Sequence, residues 1–532
     1  MSAEGVPLDK SKFLQKVSAV FFWLVLLIAV AQPLQYLHLT FLEYSSGDEG
    51  FLLAGALRIL RGQVLYRDFH SILAPGSFYL TAFWFRLFGP TLVAARWLAW
   101  LINALLIAGL WLLGRQMRLS RISLGLVFLA QVAVGFYAWP ILSFHWMANA
   151  AVILSAACLA ASENERRGWL LAAGALAGIA GLMLQDEGGY WVLLVFVLLL
   201  LSGGDGRWGR IAYFVAGVAL AASPLMVCLL VHTPVSQIID DVLWSPLRYY
   251  HQNAGNRVSW GEGGLATFLR LPTVWRSWGA WAAISEMGRD VGMATVLSTF
   301  PIAGVLLILQ VVRFRKLAKE DRWSWLVLLS LAASLALTVL HRPAMTNLTF
   351  AFPAFLLMIL WGWERLRRSQ PSLKCRFAAV PLALALTFAA IVGSLPYPYL
   401  APRSSFEFPA GRLTTEEGPR KPLWTLLQLF QRRFLRPGQT VLCYGYCSFF
   451  SFLLRSIGPM PSDNFDIGRY DSVILRTRIS QLAASPPDWI LMDEGCLDAD
   501  PTVVWIKQHY KPLARCNGLV IVGKPPLLSG SK

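Results

Sequence analysis

Charge is scarce in this sequence. Only 14% of its 532 residues are Asp, Glu, Lys or Arg, 56% are hydrophobic, and the mean hydropathy is +0.53. A soluble chain with this balance would lack polar surface to cover itself, so an organisation into about two to four soluble domains is excluded. The alternation of apolar and polar residues over about ten positions that marks a transmembrane β-strand is missing too. Runs such as VLLVFVLLLL (Val192 to Leu201) do not alternate. Cysteine is limited to seven, and the spacing of Cys443 and Cys447 is not that of a zinc knuckle. No internal repeat marks the two halves of a secondary transporter.

What is present is a series of apolar runs of about 18 to 22 residues, each long enough to cross a bilayer. They fall at Phe13 to Leu37, Leu92 to Gly114, Ile122 to Trp139, His145 to Ala161, Trp169 to Leu184, Tyr190 to Leu201, Ile211 to Val231, Met293 to Val312, Trp323 to Leu340, Leu348 to Trp363 and Phe377 to Leu395. The expected fold is a polytopic all-α membrane protein of about 11 transmembrane helices. The span at Tyr190 is short unless it begins at Glu187.

The net charge of +17 acquires meaning once the cations are placed. Lys10, Lys12, Lys16, Arg115, Arg118, Arg121, Arg166, Arg167, Arg207, Arg210, RFRKLAKEDR (Arg313 to Arg322) and ERLRRSQPSLKCR (Glu364 to Arg376) share one set of connections. By the positive-inside rule that side is cytoplasmic, and nucleic acid is not the partner. The expected placement is a cytoplasmic membrane, N-terminus inside and C-terminus external. AVA (Ala29 to Ala31) also fits a signal cleavage site, which would leave the remaining topology unchanged.

Residues 1–400 form the expected transmembrane domain, with long external segments at 40–91 and 232–292. Residues 401–532 read as an external α/β domain after the linker PYPYLAPRSS, with buried strands at TVLCYGY, DWILMD and GLVIVGK. Four of the cysteines, Cys443, Cys447, Cys496 and Cys516, lie in this domain. Disulfides are the expectation there, against free buried thiols or a metal.

Asp48 and Glu49 stand in YSSGDEG, directly before an amphipathic pattern in which Phe51, Leu52, Ala56, Leu57, Ile59 and Leu60 share a face and Arg58 and Arg61 sit off it. Asp48 alone would serve as a helix cap. A cap does not account for Glu49, or for the second acidic turn, Asp186 and Glu187, on the same side. Carboxylates at membrane depth cost about 2.5 to 3.5 kcal/mol, so their clustering on one face suggests a site.

The stretches GDEGFLLAGALRILRGQVLYRDF, APGSFYLTAFWFRLFG and AARWLAW resemble the first external loop of the GT-C integral-membrane glycosyltransferases. More narrowly, they are similar to the bacterial family 39-like relatives of protein O-mannosyltransferases and aminoarabinose transferases. The resemblance implies transfer of a sugar, with inversion, from a polyprenyl-phosphate donor to a glycan, lipid or protein acceptor outside the cytoplasm. It gives Asp48, with Glu49, the catalytic position, and places Asp186 loosely at the second acidic position, where Asp186 or Glu187 is the candidate. It also makes the HRPAMTN turn, with His341 and Arg342, a carrier-phosphate contact. Arg58 and Arg67 are further cations suited to a phosphate; Tyr66, His70, Tyr250 and Asn253 are candidates for sugar or acceptor. The segment holding Tyr250 and Asn253 equally suits an ordinary ordered loop. A divalent cation between Asp48 and Asp186 is an open cofactor option. The WWDYG motif of oligosaccharyltransferases is absent. Two other classes stay open, a secondary transporter and a non-catalytic envelope assembly protein. Sugar nucleotides are disfavoured as donors, since the candidate residues face away from the cytosol.

Overall fold

The computed structural model describes residues 10–37, 39, 48–164, 167–202, 206–249, 272–273, 276, 279–313, 319–341, 345–369, 379–396, 399, 403–416, 421–445, 447–458, 460, 472–494 and 500–525. Each apolar run of the sequence lies on a helix. In chain order these are α1 (Lys10–Ala31), α2 (Gly50–Leu60), α3 (Gly76–Phe88), α4 (Leu92–Gln116), α5 (Arg121–Ala130), α6 (Phe144–Ala161), α7 (Arg167–Met183), α8 (Gln185–Leu201), α9 (Arg207–His232), α10 (Val235–Ile239), α11 (Ala280–Arg313), α12 (Lys319–His341), α13 (Met345–Ser369) and α14 (Ala379–Phe388). Among the described residues five helices are long and apolar enough to span a membrane: Gln15–Tyr36, Leu92–Gln116, Phe144–Ala161, Arg207–His232 and Asp321–Val339. Others, such as Arg167–Met183, are apolar but shorter. The helix at Tyr190 begins at Gln185, which lengthens the short run and carries Asp186 and Glu187 in its first turn.

Local signals set the helix starts. Thr91, Ser120 and Ser143 take extended backbone, and their hydroxyls accept from Ala94, Ser123 and His145 amides respectively. Gly188 lies so close to the backbone of Gly181 that any side chain at 188 would clash. That contact seats the first turn of α8 against α7 and fixes the height of Glu187.

The C-terminal domain opens with a hairpin, β1 (Arg403–Phe408) and β2 (Gly411–Glu416), whose first strand begins inside the expected linker. α15 (Lys421–Arg433), β3 (Val441–Tyr444), α16 (Ser448–Leu453), α17 (Ser472–Ala484), β4 (Trp489–Asp493), α18 (Pro501–His509), β5 (Lys511–Cys516) and β6 (Leu519–Gly523) follow. The four-stranded sheet has the order β3-β4-β6-β5, parallel between β3 and β4 and antiparallel elsewhere.

This domain rests on the first long loop. Phe452 stacks on Phe85 of α3 with ring centroids 5.7 Å apart, Leu92 donates to the Ala410 carbonyl at 3.0 Å, and α16 packs along α2.

The expected disulfides are corrected here. Cys443, Cys447 and Cys516 form no disulfide; Cys496 lies outside the described residues. Cys443 is buried in β3, and Cys447 is buried with its Sγ 3.3 Å from the carbonyls of Tyr444 and Leu491. Alkylation of the unfolded, unreduced protein is therefore expected to modify all three; a bridged mass at any of them would contradict the structure.

Candidate functional site

The two adjacent carboxylates part company. Glu49 is the N-cap residue of α2 with helical dihedrals, yet its side chain caps nothing. It is fully buried and paired with Arg96 of α4, itself 1% exposed. Both guanidinium nitrogens Nη1 and Nη2 reach Glu49, the latter at 3.0 Å from Oε2, and Nη2 also donates to the Leu39 carbonyl at 3.3 Å. The Leu142 amide donates to Glu49 Oε1 at 3.0 Å. With both oxygens engaged inside the protein, Glu49 ties the start of α2 to α4 and to the Leu142 amide.

Asp48 behaves differently because one residue of helix turns a side chain by about 100°. It is half-buried, and its carboxylate takes no hydrogen bond among the described residues. The capping reading does not apply to it.

The second acidic turn opens α8. His145, at the start of α6, has Nδ1 2.7 Å from Glu187 Oε1, and its ring stacks on Phe350 of α13 at 4.8 Å. The charges of Glu187, Asp186 and Asp48 all act on this ring, so the structure brings Asp48, Asp186 and Glu187 into one field. Glu187 is 2% exposed, and its Oε2 has no hydrogen-bond partner among the described residues. Asn149, one turn below His145, donates to the Phe350 carbonyl at 2.6 Å and leaves its own Oδ1 unpartnered. Both acceptors line a cavity of about 10 Å³, the room of a single water. Asp186 Oδ1 accepts from the Glu187 amide at 2.9 Å. Among the described residues no three His, Cys, Asp or Glu side chains are grouped to hold a metal ion.

Two solved structures follow a similar chain path. One is ArnT from Cupriavidus metallidurans bound to undecaprenyl phosphate, at 15% identity and a TM-score of 0.46, covering 95% of this chain and 97% of that one. The other is the apo state of the same protein, at 14% identity and a TM-score of 0.48, covering 98% and 100%. No protein-family model and no curated protein matches the sequence.

The remaining expected site residues are scattered. Arg58 is 1% exposed and bound to carbonyls of the C-terminal domain, Met460 at 2.8 Å and Gly458 at 3.5 Å, with Gln63 Oε1 at 2.9 Å. These bonds tie its guanidinium to the C-terminal domain. Tyr66 is fully buried at φ 70° in a turn, its hydroxyl donating to the Leu73 carbonyl at 2.7 Å. Arg67 stays exposed, gripped by Asp68 at 2.7 and 2.9 Å; such surface pairs hold by only about 0–1 kcal/mol and release readily to a phosphate. His70 Nδ1 lies 3.1 Å from Asp241 Oδ2, and burial raises the Asp241 pKa against the opposing pull of His70. His341 ends α12, while Arg342, Tyr250 and Asn253 lie outside the described residues, as does the side chain of His341.

Sequence reasoning passed over Arg96, His145, Asn149, Gln185 and Asp241. Arg96 carried a usable signal: a lone cation inside an apolar run requires a buried partner. Gln185 gave none. Its amide ties the first loop to α8, accepting from the Ala74 amide at 2.9 Å and donating to the Ile72 carbonyl at 2.7 Å.

Proposed function

We propose that the protein is an inverting glycosyltransferase that moves a sugar from a polyprenyl-phosphate donor to an acceptor on the external face of the cytoplasmic membrane. The observation that carries this reading is the Asp48 carboxylate, which takes no hydrogen bond among the described residues and whose charge acts on His145, while its neighbour Glu49 is paired with Arg96. Two neighbouring acids held in contrasting environments are what a site with one base and one anchor requires.

Asp48 takes the proton from the acceptor hydroxyl as that oxygen attacks the anomeric carbon. The bond from that carbon to the phosphate oxygen breaks on the opposite face, and the carrier phosphate departs with the electron pair. Because phosphate leaves as a stable anion, a second carboxyl acting as an acid is not needed, unlike in glycoside hydrolysis. Arg67, with His341 and Arg342, supplies cationic stabilisation of the departing phosphate. His145 and Glu187 fix the polar wall behind Asp48.

Deleting the gene should make the lipid-linked sugar donor accumulate and remove one sugar from a surface glycan or lipid, and the parent gene should restore both. An unchanged donor pool and an unchanged envelope would refute the reading. The sidedness has its own check. A Cys at exposed Arg67 should react in intact cells with a membrane-impermeant thiol reagent, and one at exposed Ser120 should not; the reverse pattern would invert the topology.

A further inference from the structure

We propose that the C-terminal domain is a clamp that positions Asp48, acting through Arg58 at the opposite end of α2; the catalytic part of this rests on the reading of Asp48 as the base. α2 is 11 residues, about 16 Å long, and Gly50 to Arg58 are buried without interruption. Such a helix moves as a unit. At its first turn it is pinned by Glu49 to Arg96 and to the Leu142 amide. At its last turn it is pinned by the C-terminal domain: Arg58 Nη2 to the Met460 and Gly458 carbonyls, and Arg61 to the Arg455 carbonyl. Arg455 in turn donates to the Pro90 carbonyl at 3.4 Å, which closes the grip around α3.

Docking alone would not call for a buried guanidinium. The apolar contacts of α16 with α2 and the Phe452–Phe85 stack already join the two parts. Taking a cation out of water is unfavourable unless its donors are met in good geometry. Here they are met by Gln63 Oε1 on one nitrogen and two main-chain carbonyls on the other, with the guanidinium carbon 5.6 Å from the centre of the Phe69 ring. Directional bonds of this kind fix the rotation of α2 about its axis, which a greasy contact leaves loose. Rotation of α2 carries Asp48 with it, so the clamp sets where that carboxylate points. Arg58 is thus a positioning residue.

The test compares the parent with Arg58→Gln and Arg58→Lys, full-length and in lipid nanodiscs, by amide hydrogen exchange and by steady-state transfer. Arg58→Gln should speed exchange along the whole of residues 48–57 and lower kcat by about 10- to 100-fold, the scale of a small misplacement of a reacting group. The donor KM should stay within about twofold. Arg58→Lys, which keeps the charge but not the fork, should fall between the two, and it serves as the variant if Arg58→Gln does not insert. Faster exchange confined to residues 56–62 and 455–460, with residues 48–54 and kcat at parent values, would overturn the clamp. If the parent itself transfers no lipid-linked sugar, the reading of Asp48 falls, and exchange at residues 48–54 still decides whether Arg58 holds that end.

Discussion

Asp48→Asn is expected to give an inserted, folded protein whose transfer rate is at least ~100-fold below that of the parent, the scale of a lost general base. Asn fills nearly the same volume and can still accept a hydrogen bond, so the helix start and the surrounding packing are preserved. What it cannot do is take a proton at neutral pH. Folding should be indifferent, because the Asp48 carboxylate takes no hydrogen bond among the described residues. Glu49→Gln has the opposite profile: the lost charge leaves buried Arg96 uncompensated, so insertion and stability suffer before chemistry is reached. A near-parental rate for Asp48→Asn, with parental expression, would remove Asp48 from the mechanism.

Arg96→Met is expected to destabilise the protein by about 3–5 kcal/mol, because it strands the Glu49 carboxylate in a dry interior. Once the guanidinium is gone, the Leu142 amide at 3.0 Å offers Glu49 a hydrogen bond but no compensating charge. The double replacement Glu49→Met with Arg96→Met should cost less than Arg96→Met alone, since no charge is left unpaired. Thermal unfolding of the purified variants in lipid measures both. Arg96→Met unfolding at the parent's temperature would show that the pair does not anchor α2, and the contrast drawn between Glu49 and Asp48 would lose its basis.

Much of the fold was legible because hydropathy reports solvent, and a bilayer imposes its thickness on every span. The runs from Phe13 to Leu395 all emerge as helices. β3, β4 and β6 were legible for a related reason, as buried strands read as short continuous apolar runs. β1, β2 and β5 were not. RSSFEF and GRLTTE mix charges and hydroxyls with few apolar side chains, and KPLARC opens with Lys and Pro at the sheet edge.

At the site, sequence showed which residues are costly but not what each one meets. Asp48, Glu49, Asp186 and Glu187 were marked by the expense of acidic groups near a membrane. Which of them is neutralised depends on Arg96, some 47 positions along the chain. Arg58 looked solvent-facing on a helical wheel because the wheel does not contain the C-terminal domain that covers it. Tyr66 stood among the sugar or acceptor candidates, and nothing in the sequence signalled its positive φ, uncommon outside glycine, which places it in a turn. Cysteine counting suggested bridges, whereas Cys443 and Cys447 are both buried and form no disulfide.

The most direct measurement of the central claim uses purified protein in liposomes supplied with a polyprenyl-phosphate-linked sugar and an acceptor lipid or glycan. Free polyprenyl phosphate should appear one for one with glycosylated acceptor, the new linkage should have the anomeric configuration opposite to the donor's, and Asp48→Asn should suppress both products together. Retention of configuration, or release of carrier phosphate that is indifferent to Asp48, would contradict the account.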